Sequence, residues 1–283
     1  MSTYVRKAVV TAATGGIGLE TATALAASGF DVTVVGRDAG RGAAAVARLD
    51  EVAGRAAGRF LAADLSSLEA ARALAGRLAD EGPLQLLVNN VGGMWSRRRE
   101  SADGIEASVA VNHLSPYVLT EALLDTLKAG APSRIVNVTS SAIMAADPTY
   151  EETEPPGPYH GMATTGRAKL AHLAHTMDLA ARLDGQGVDV VAVDPGPAAT
   201  PNAAEMTIDL LPPPMRPLWE QVLQGVKRPA SEAAAAVVAA ATADLPTGTL
   251  IGPAGVPDDT LRQYLTEEVT AAVRRWTPRL LGA

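Results

Sequence analysis

Residues 11–18 read Thr11-Ala-Ala-Thr-Gly-Gly-Ile-Gly18, directly after a short run of β-forming residues. A run with apolar residues at helical spacing follows and ends at Ser28-Gly29, which predicts a strand, a glycine turn and a helix in that order. This order is typical of a dinucleotide-binding unit, because glycines let backbone amides approach a pyrophosphate at the positive end of the helix. If the glycine motif is considered alone, an ordinary strand-to-helix turn is the alternative interpretation.

The end of the second predicted strand bears on the choice of nucleotide. An acidic residue there would hydrogen-bond the ribose 2′-hydroxyl of NAD, but Gly36 occupies the position and Arg37 follows. Because a guanidinium pairs with a 2′-phosphate, the sequence favours NADP(H) as the cofactor. The alternative is a surface arginine on a turn.

The composition argues against several classes of function. The 283 residues are 47% hydrophobic and 4% aromatic, with a net charge of −7 and no cysteine. The negative charge argues against nucleic-acid binding, and the absence of cysteine excludes disulfides, thiolate nucleophiles and cysteine-bound metals. No apolar run approaches the roughly 20 residues that span a bilayer, and the start of the chain is unlike a signal peptide. We therefore expect a soluble cytoplasmic protein without membrane, nucleic-acid or metal partners.

Polar segments follow three later predicted strands. They are Asn89-Asn-Val-Gly-Gly93, Thr139-Ser-Ser141 and Asp194-Pro-Gly-Pro-Ala-Ala-Thr200. Ligands of open parallel sheets bind at the carboxyl ends of strands, so we expect these segments to surround one site. For the serines, the alternative is a cap for the next segment.

A long helical pattern over residues 103–128 contains Asn112 and Pro116. Proline has no N–H and cannot bond to the carbonyl four residues earlier, which here belongs to Asn112. The sequence therefore predicts a helix interrupted at Asn112, with a free carbonyl. A simple proline kink is the alternative.

Together the ordered motifs from about Val5 to Ile251 resemble those of the short-chain dehydrogenase/reductase family. The family's glycine motif is Thr-Gly-x-x-x-Gly-x-Gly, and Ala12 replaces its first glycine. The resemblance implies a single NADP-binding reductase domain over residues 1–283, with a Rossmann-type doubly wound parallel sheet of about seven strands and helices on both faces. It also implies a substrate-covering segment near residues 200–228. Family members often dimerise through two long helices, here 103–128 and 163–183, which suggests a homodimer.

The resemblance assigns cofactor contacts to the glycine turn and to the loops after the strands. These residues are Thr11, Thr14, Gly16, Ile17, Gly18, Arg37, Asp64, Leu65, Asn90, Gly92, Lys169, Pro195, Gly196 and Thr200. In the family, an acidic side chain at the position of Asp64 lies beside the adenine. Capping of the helix predicted at residues 67–79 is an equal alternative for Asp64.

The family's active-site helix reads Tyr-x-x-x-Lys, and here Lys169 is present while Thr165 stands four residues before it. By resemblance, Lys169 holds the ribose hydroxyls, Ser141 the substrate oxygen, and the carbonyl of Asn112 a water.

Thr165 is a much weaker acid than a phenol of pKa about 10. The proton of a reduction must then come from elsewhere, and we favour a phenolic hydroxyl beside the ketone of the substrate. The alternatives are a water held by Ser141, or Tyr159 or His160 folding into the pocket.

Cofactor motifs without the tyrosine are similar to those of atypical angucyclinone ketoreductases. This implies NADPH-dependent reduction of a ketone on a polycyclic aromatic polyketide in antibiotic biosynthesis, so the expected partner is a small-molecule aromatic ketone. The insertion between Ser141 and Lys169 is similar to that of retinol-dehydrogenase-like members. Two other classes stay open: a non-catalytic NADP-binding regulator, and a redox-silent isomerase or cyclase.

Overall fold

The computed structural model describes residues 5–155, 157–201 and 203–282. Seven strands form one parallel sheet in the order β3-β2-β1-β4-β5-β6-β7. The strands are β1 (Lys7–Val10), β2 (Asp31–Gly36), β3 (Gly58–Ala62), β4 (Leu86–Asn89), β5 (Ser133–Val138), β6 (Val188–Val193) and β7 (Leu250–Ile251). This is the expected doubly wound sheet, and its strand order reverses between β1 and β4, where such folds bind ligands.

Ten α-helices are found in the described residues, with a π-helical turn between the fourth and fifth. They are α1 (Gly16–Ala27), α2 (Ala39–Ala53), α3 (Leu68–Ala79), α4 (Ala107–Val109), the π-turn (Ala110–Leu114), α5 (Ser115–Ala122), α6 (Leu124–Ala129), α7 (Gly161–Leu183), α8 (Trp219–Gly225), α9 (Ala230–Thr242) and α10 (Glu267–Leu280). Short 3₁₀ turns occupy Ser141–Ala145, Ala203–Glu205, Ile208–Leu210, Pro213–Leu218 and Arg262–Tyr264. The predicted covering segment, within its described residues, is therefore mainly 3₁₀ turns followed by α8.

Alternate residues along each strand enter two separate hydrophobic cores. Val9 and Leu87 face the core built by α3, α5, α7 and α10, whereas Val10 and Val88 face the core built by α1, α2 and α9. The central strands β1 and β4 are covered on both faces, which is why residues 8–10 and 86–88 are apolar without the polar alternation of a half-exposed sheet.

The prediction of a single long helix over residues 103–128 is wrong in two respects. It begins only at Ala107, because the buried carboxylate of Glu106 caps it by accepting the amides of Ser108 at 2.9 Å and Val109 at 3.0 Å. It breaks again at Leu123, where φ is −101° and ψ is 2°. The interruption predicted at Asn112 is present as the π-turn, two residues ahead of Pro116 in α5.

The last helix starts later than the expected residues 258–276 and lies across α7. Trp276 is 1% exposed, and its ring stacks on His113 with centroids 5.7 Å apart. Thr277 hydrogen-bonds His113 Nε2 at 2.7 Å, and Arg274 pairs with Asp178 of α7 at 2.5 Å. α10 thus contacts both helical segments through which a homodimer was expected to form.

Candidate functional site

A groove of about 500 Å³ runs along the carboxyl ends of β1, β2 and β4. It is lined by many of the residues expected to bind a cofactor, namely Thr14, Gly16, Ile17, Gly18, Arg37, Asp64, Leu65, Asn90, Gly92 and Thr200. Thr11, Lys169, Pro195 and Gly196 were also expected to do so, but they do not line this groove.

The glycine turn leaves the start of α1 open to the groove. Gly15 precedes the helix and no side chain caps its first amides, so these N–H groups are available to an anion. A Cβ at Gly18 would lie 2.4 Å from Asn90 Nδ2 and 2.5 Å from the Ala12 carbonyl oxygen, so only glycine fits there. Ala12 itself adopts the left-handed conformation, with φ of 52°.

The end of β2 has no room for the carboxylate that would select NAD. A Cβ at Gly36 would lie only 2.6 Å from Cγ2 of Thr14. Arg37 and Arg41 are exposed at the same end of the groove, and neither side chain is hydrogen-bonded to another described residue. Sequence reasoning missed Arg41, although its position in the first turn of α2, one turn after Arg37, is a usable signal.

Asp64 does not cap α3, so that alternative is wrong. The cap is Ser67, whose hydroxyl accepts the amide of Ala70 at 3.3 Å. Asp64 instead accepts the amide and the hydroxyl of Ser66 at 3.0 and 2.8 Å, and it lines the groove beside Leu65.

Thr11, which was expected to contact the cofactor, does not line the groove and lies directly beneath it. Its buried hydroxyl accepts the amides of Asn90 and Val91, each at 2.9 Å. Asn90 returns a bond from its side-chain amide to the Thr11 carbonyl at 2.9 Å. These bonds hold the turn after β4 against the glycine turn.

Lys169 and Asn112 meet at this turn. A Cβ on Gly92 would lie 3.0 Å from Asn112 Oδ1 and 3.6 Å from Lys169 Nζ. Lys169 is 5% exposed and donates to the Val138 carbonyl at 2.7 Å. Burial lowers its pKa to about 8, against the opposing effect of Asp194, so the ammonium form still prevails at neutral pH.

The side chain of Asn112 is fully engaged by protein groups. Its amide donates to the carbonyls of Gly93 at 2.8 Å and Ser108 at 2.9 Å, and its oxygen accepts the Gly93 amide at 3.1 Å. These bonds fix the π-turn to the turn after β4. The role expected of Asn112 belongs to its backbone carbonyl, which these side-chain bonds do not involve.

Ser141 begins the 3₁₀ turn after β5, and its hydroxyl has no hydrogen-bond partner among the described residues. The carboxylate of Asp194 accepts the Gly196 amide at 2.9 Å, and the backbone amide of Ser141 also acts on its pKa. Burial raises the pKa of Asp194, although these two amides oppose the rise. Asp194 was not expected as a site residue, and its signal is an acid between β6 and a Pro-Gly pair.

The segment after β6 holds its shape through Arg228. The carbonyl of Pro195 accepts from Arg228 Nη1 at 2.7 Å, and Gly196 has φ of 70°. Of the three residues of this segment that were expected to contact the cofactor, Thr200 lines the groove.

Thr165 lies one turn before Lys169 and is 4% exposed. Its hydroxyl is 3.4 Å from the Gly93 carbonyl and 3.3 Å from Ser108 Oγ. Tyr159 donates to Glu106 Oε1 at 3.2 Å instead of reaching Ser141 or Lys169, and His160 precedes the first residue of α7. Neither alternative acid hydrogen-bonds Ser141, Lys169 or Thr165 directly.

Two absences concern the described residues only. In residues 5–155, 157–201 and 203–282, no three His, Asp or Glu side chains are grouped in a way that could hold a metal ion. Over the same residues, no helix has both the length and the apolar character needed to cross a membrane.

Comparison with known proteins agrees with this architecture. A model of the short chain dehydrogenase family matches residues 6–210. Retinol dehydrogenase 12 of Mus musculus is 40% identical over 189 residues, which cover 66% of this chain and 60% of the relative. Retinol dehydrogenase 11 of Mus musculus is 35% identical over 239 residues, covering 84% and 74%. The chain thus spans about three-fifths of the length of the first curated relatives it matches.

Solved structures with bound nucleotide are also similar. A Pseudomonas aeruginosa RhlG/NADP active-site complex has a TM-score of 0.69 at 28% identity, with 88% of this chain and 95% of the other covered. A short-chain dehydrogenase from Sphingobium yanoikuyae in complex with NADPH has a TM-score of 0.68 at 26% identity, with 88% of each chain covered.

Proposed function

Because the chain belongs to the short-chain dehydrogenase family, we propose that it is an NADPH-dependent ketoreductase whose substrate is a ketone on a polycyclic aromatic polyketide, angucyclinone-like, in antibiotic biosynthesis. The observation that carries the proposal is that Ser141, Asn112 and Lys169 are all present, whereas the position one helical turn before Lys169 holds Thr165 instead of a tyrosine. NADP(H), when bound, supplies or accepts the hydride.

The groove supports NADP(H) through groups of this chain. The uncapped first turn of α1 holds the pyrophosphate, and Arg37 with Arg41 holds the 2′-phosphate. Gly36 leaves no carboxylate to select NAD. Two of the similar solved structures carry NADP or NADPH, which supports the same choice.

Three residues orient the reacting groups. The free hydroxyl of Ser141 holds the ketone oxygen, and the largely protonated Lys169 holds ribose hydroxyls and stabilises negative charge beside them. Placement of the ketone beside the hydride donor supplies much of the rate, since orientation is worth about 7–11 kcal/mol. A missing protein acid costs about 10²–10⁴-fold, and a substrate with its own acid offsets that loss.

The proposed substrate class follows from that requirement. A phenolic hydroxyl next to the ketone, as in aromatic polyketides, lies within hydrogen-bond reach of the oxygen that must be protonated. Met94 and Trp95 form an apolar wall of the groove and suit a flat ring system. The retained cofactor motifs and the missing tyrosine together resemble the angucyclinone ketoreductase of simocyclinone biosynthesis, which adds weight to the same class.

The test follows NADPH absorbance with purified protein and matched ketones. A tetralone with a hydroxyl peri to the ketone and polycyclic hydroxyketones should be reduced, and the tetralone without the hydroxyl should be reduced at least about tenfold more slowly. Thr165→Ala should slow single-turnover hydride transfer less than tenfold; a loss above about a hundredfold would contradict a substrate-supplied proton. NADPH binding without consumption would indicate a regulator, and conversion without NADPH consumption an isomerase or cyclase.

A further inference from the structure

Trp95 makes close contact with two glycines at the edge of the groove. A Cβ at Gly93 would lie 2.5 Å from Cη2 and 2.8 Å from Cζ2 of the indole. A Cβ at Gly161 would lie 2.1 Å from the carbonyl oxygen of Trp95 and 2.6 Å from Cδ2 of the buried Leu210. The indole thus rests on Gly93 and the backbone of Trp95 on Gly161, and neither glycine could carry a side chain while Trp95 keeps this place.

Thr165 lies beside both of these glycines. It follows Gly161 by four residues in α7, and residues four apart share one face of a helix. Its hydroxyl lies 3.4 Å from the carbonyl oxygen of Gly93. Position 165 therefore adjoins the two points at which Trp95 rests on the protein.

Exposure places the two side chains on different sides of this contact. Trp95 is partly exposed and lines the groove. Thr165 is 4% exposed and is not among the residues that line it. A side chain that adjoins Trp95 without reaching the groove lies behind it, so the indole accounts for the burial of the position that carries a tyrosine in the family.

The indole also gives the groove an aromatic surface. Only 4% of the chain is aromatic, and among the described residues that line the groove Trp95 is the one with an aromatic side chain. A large, rigid aromatic ring packs favourably against another flat ring in an offset or edge-to-face arrangement. A ligand with an extended ring system therefore has Trp95 as its aromatic partner in this groove.

We propose that Trp95 selects the substrate, because its indole closes the groove off from position 165 and packs against the polycyclic ring system of the ketone. The inference rests on the proposed function and adds a requirement to it. The number of fused rings, as well as the phenolic hydroxyl, decides which ketones are reduced. Trp95 is on this account a specificity-determining residue, and Thr165 is out of reach of the substrate.

Substrate selection is tested with Trp95→Leu and Trp95→Phe on three ketones of increasing size, each with a neighbouring phenolic hydroxyl. These are ortho-hydroxyacetophenone, the peri-hydroxy tetralone and a peri-hydroxy anthraquinone, and the wild-type kcat/KM should rise in this order. Trp95→Leu should lose at least about tenfold with the anthraquinone and less than about threefold with the acetophenone, because stacking is lost only for the large ring system. Trp95→Phe, which keeps a smaller ring, should lie between wild type and Trp95→Leu, and it decides the question if Trp95→Leu does not fold.

A binding measurement separates selection from catalysis. Equilibrium dialysis with NADP⁺-saturated protein should show a loss of affinity for the anthraquinone in Trp95→Leu of about tenfold, without any turnover. If the folded variants keep the wild-type ratio of kcat/KM between anthraquinone and acetophenone, Trp95 does not select the substrate, while the ketoreductase stands. If the wild type consumes no NADPH with any of the three ketones, the proposed function falls and selection falls with it.

Closure of position 165 is tested without any substrate. The chain has no cysteine, so Thr165→Cys introduces a single thiol whose rate of alkylation by iodoacetamide reports its access from the groove. Adding Trp95→Ala should speed alkylation at least about tenfold. The matched control adds Met94→Ala, which shortens another groove-lining side chain and leaves the indole in place, and should leave the rate within about twofold. Equal rates in the two double variants would show that the indole does not close off position 165, whichever ketones are reduced.

Discussion

Ala12 is the alanine that replaces the first glycine of the nucleotide motif, and it adopts φ of 52°. No other described non-glycine residue has a positive φ. The left-handed conformation costs an alanine about 1–2 kcal/mol, because its Cβ crowds the following carbonyl oxygen. Ala12→Gly removes this cost but returns about 0.4–1 kcal/mol of conformational entropy to the unfolded chain. We expect a net stabilisation of about 1 kcal/mol, or about 2 °C in Tm for a chain of this length.

Urea denaturation of wild type, Ala12→Gly and Ala13→Gly measures this effect. Ala13 is fully buried and does not share the positive φ, so its replacement should lower the free energy of unfolding by about 1–2 kcal/mol through lost burial and added chain entropy. Opposite shifts in the denaturation midpoint, at unchanged m-value, are the expected result. If Ala12→Gly destabilises the protein as Ala13→Gly does, the strain argument is wrong.

Three more predictions concern the cofactor, pH and assembly. Arg37→Ala should raise the KM for NADPH by about tenfold and leave that for NADH unchanged, as steady-state kinetics would show, because a charge-assisted bond to the 2′-phosphate is lost. Burial lowers the pKa of His113 to about 3 and of His175 to about 4. Because the pKa of an unfolded histidine is about 6.5, the unfolded state gains protons before the folded state does, so the free energy of unfolding should fall as the pH drops through 6.5. Urea titrations should show a loss of up to about 1.4 kcal/mol per histidine between pH 7.5 and 5.5. Light scattering should find a monomer, because α10 covers the two helical segments through which the dimer was expected to form. Trp276→Ala should lower the free energy of unfolding by about 3–5 kcal/mol and expose the face of these segments that Trp276 covers.

Features encoded within a few residues could be predicted from the sequence. The glycine turn predicted the start of α1, and the missing N–H of Pro116 predicted the interruption at Asn112. Gly36 with Arg37 predicted an arginine, without an acid before it, at the end of β2, and both residues line the groove there. Each inference needs only the local geometry of a turn or a helix, which backbone sterics and hydrogen bonding determine.

Features that depend on contacts between distant segments could not be predicted. Ser108 meets Thr165 across 57 residues, and Tyr159 meets Glu106 across 53. Trp276 of α10 finds His113 on the π-turn through the packing of whole helices. Spacing along the chain carries no information about such pairs, because they exist only once the sheet has set the helices side by side.

The frame of the site does not depend on the residue at position 165. Lys169 is held by the Val138 carbonyl, and this contact does not involve Thr165. The hydroxyl of Thr165 instead points to Ser108 and the Gly93 carbonyl. Under the proposed function, a threonine in place of a phenol at this position removes an acid without disturbing the contact that holds Lys169. The proposed reaction therefore needs another source for the proton but no other support for Lys169.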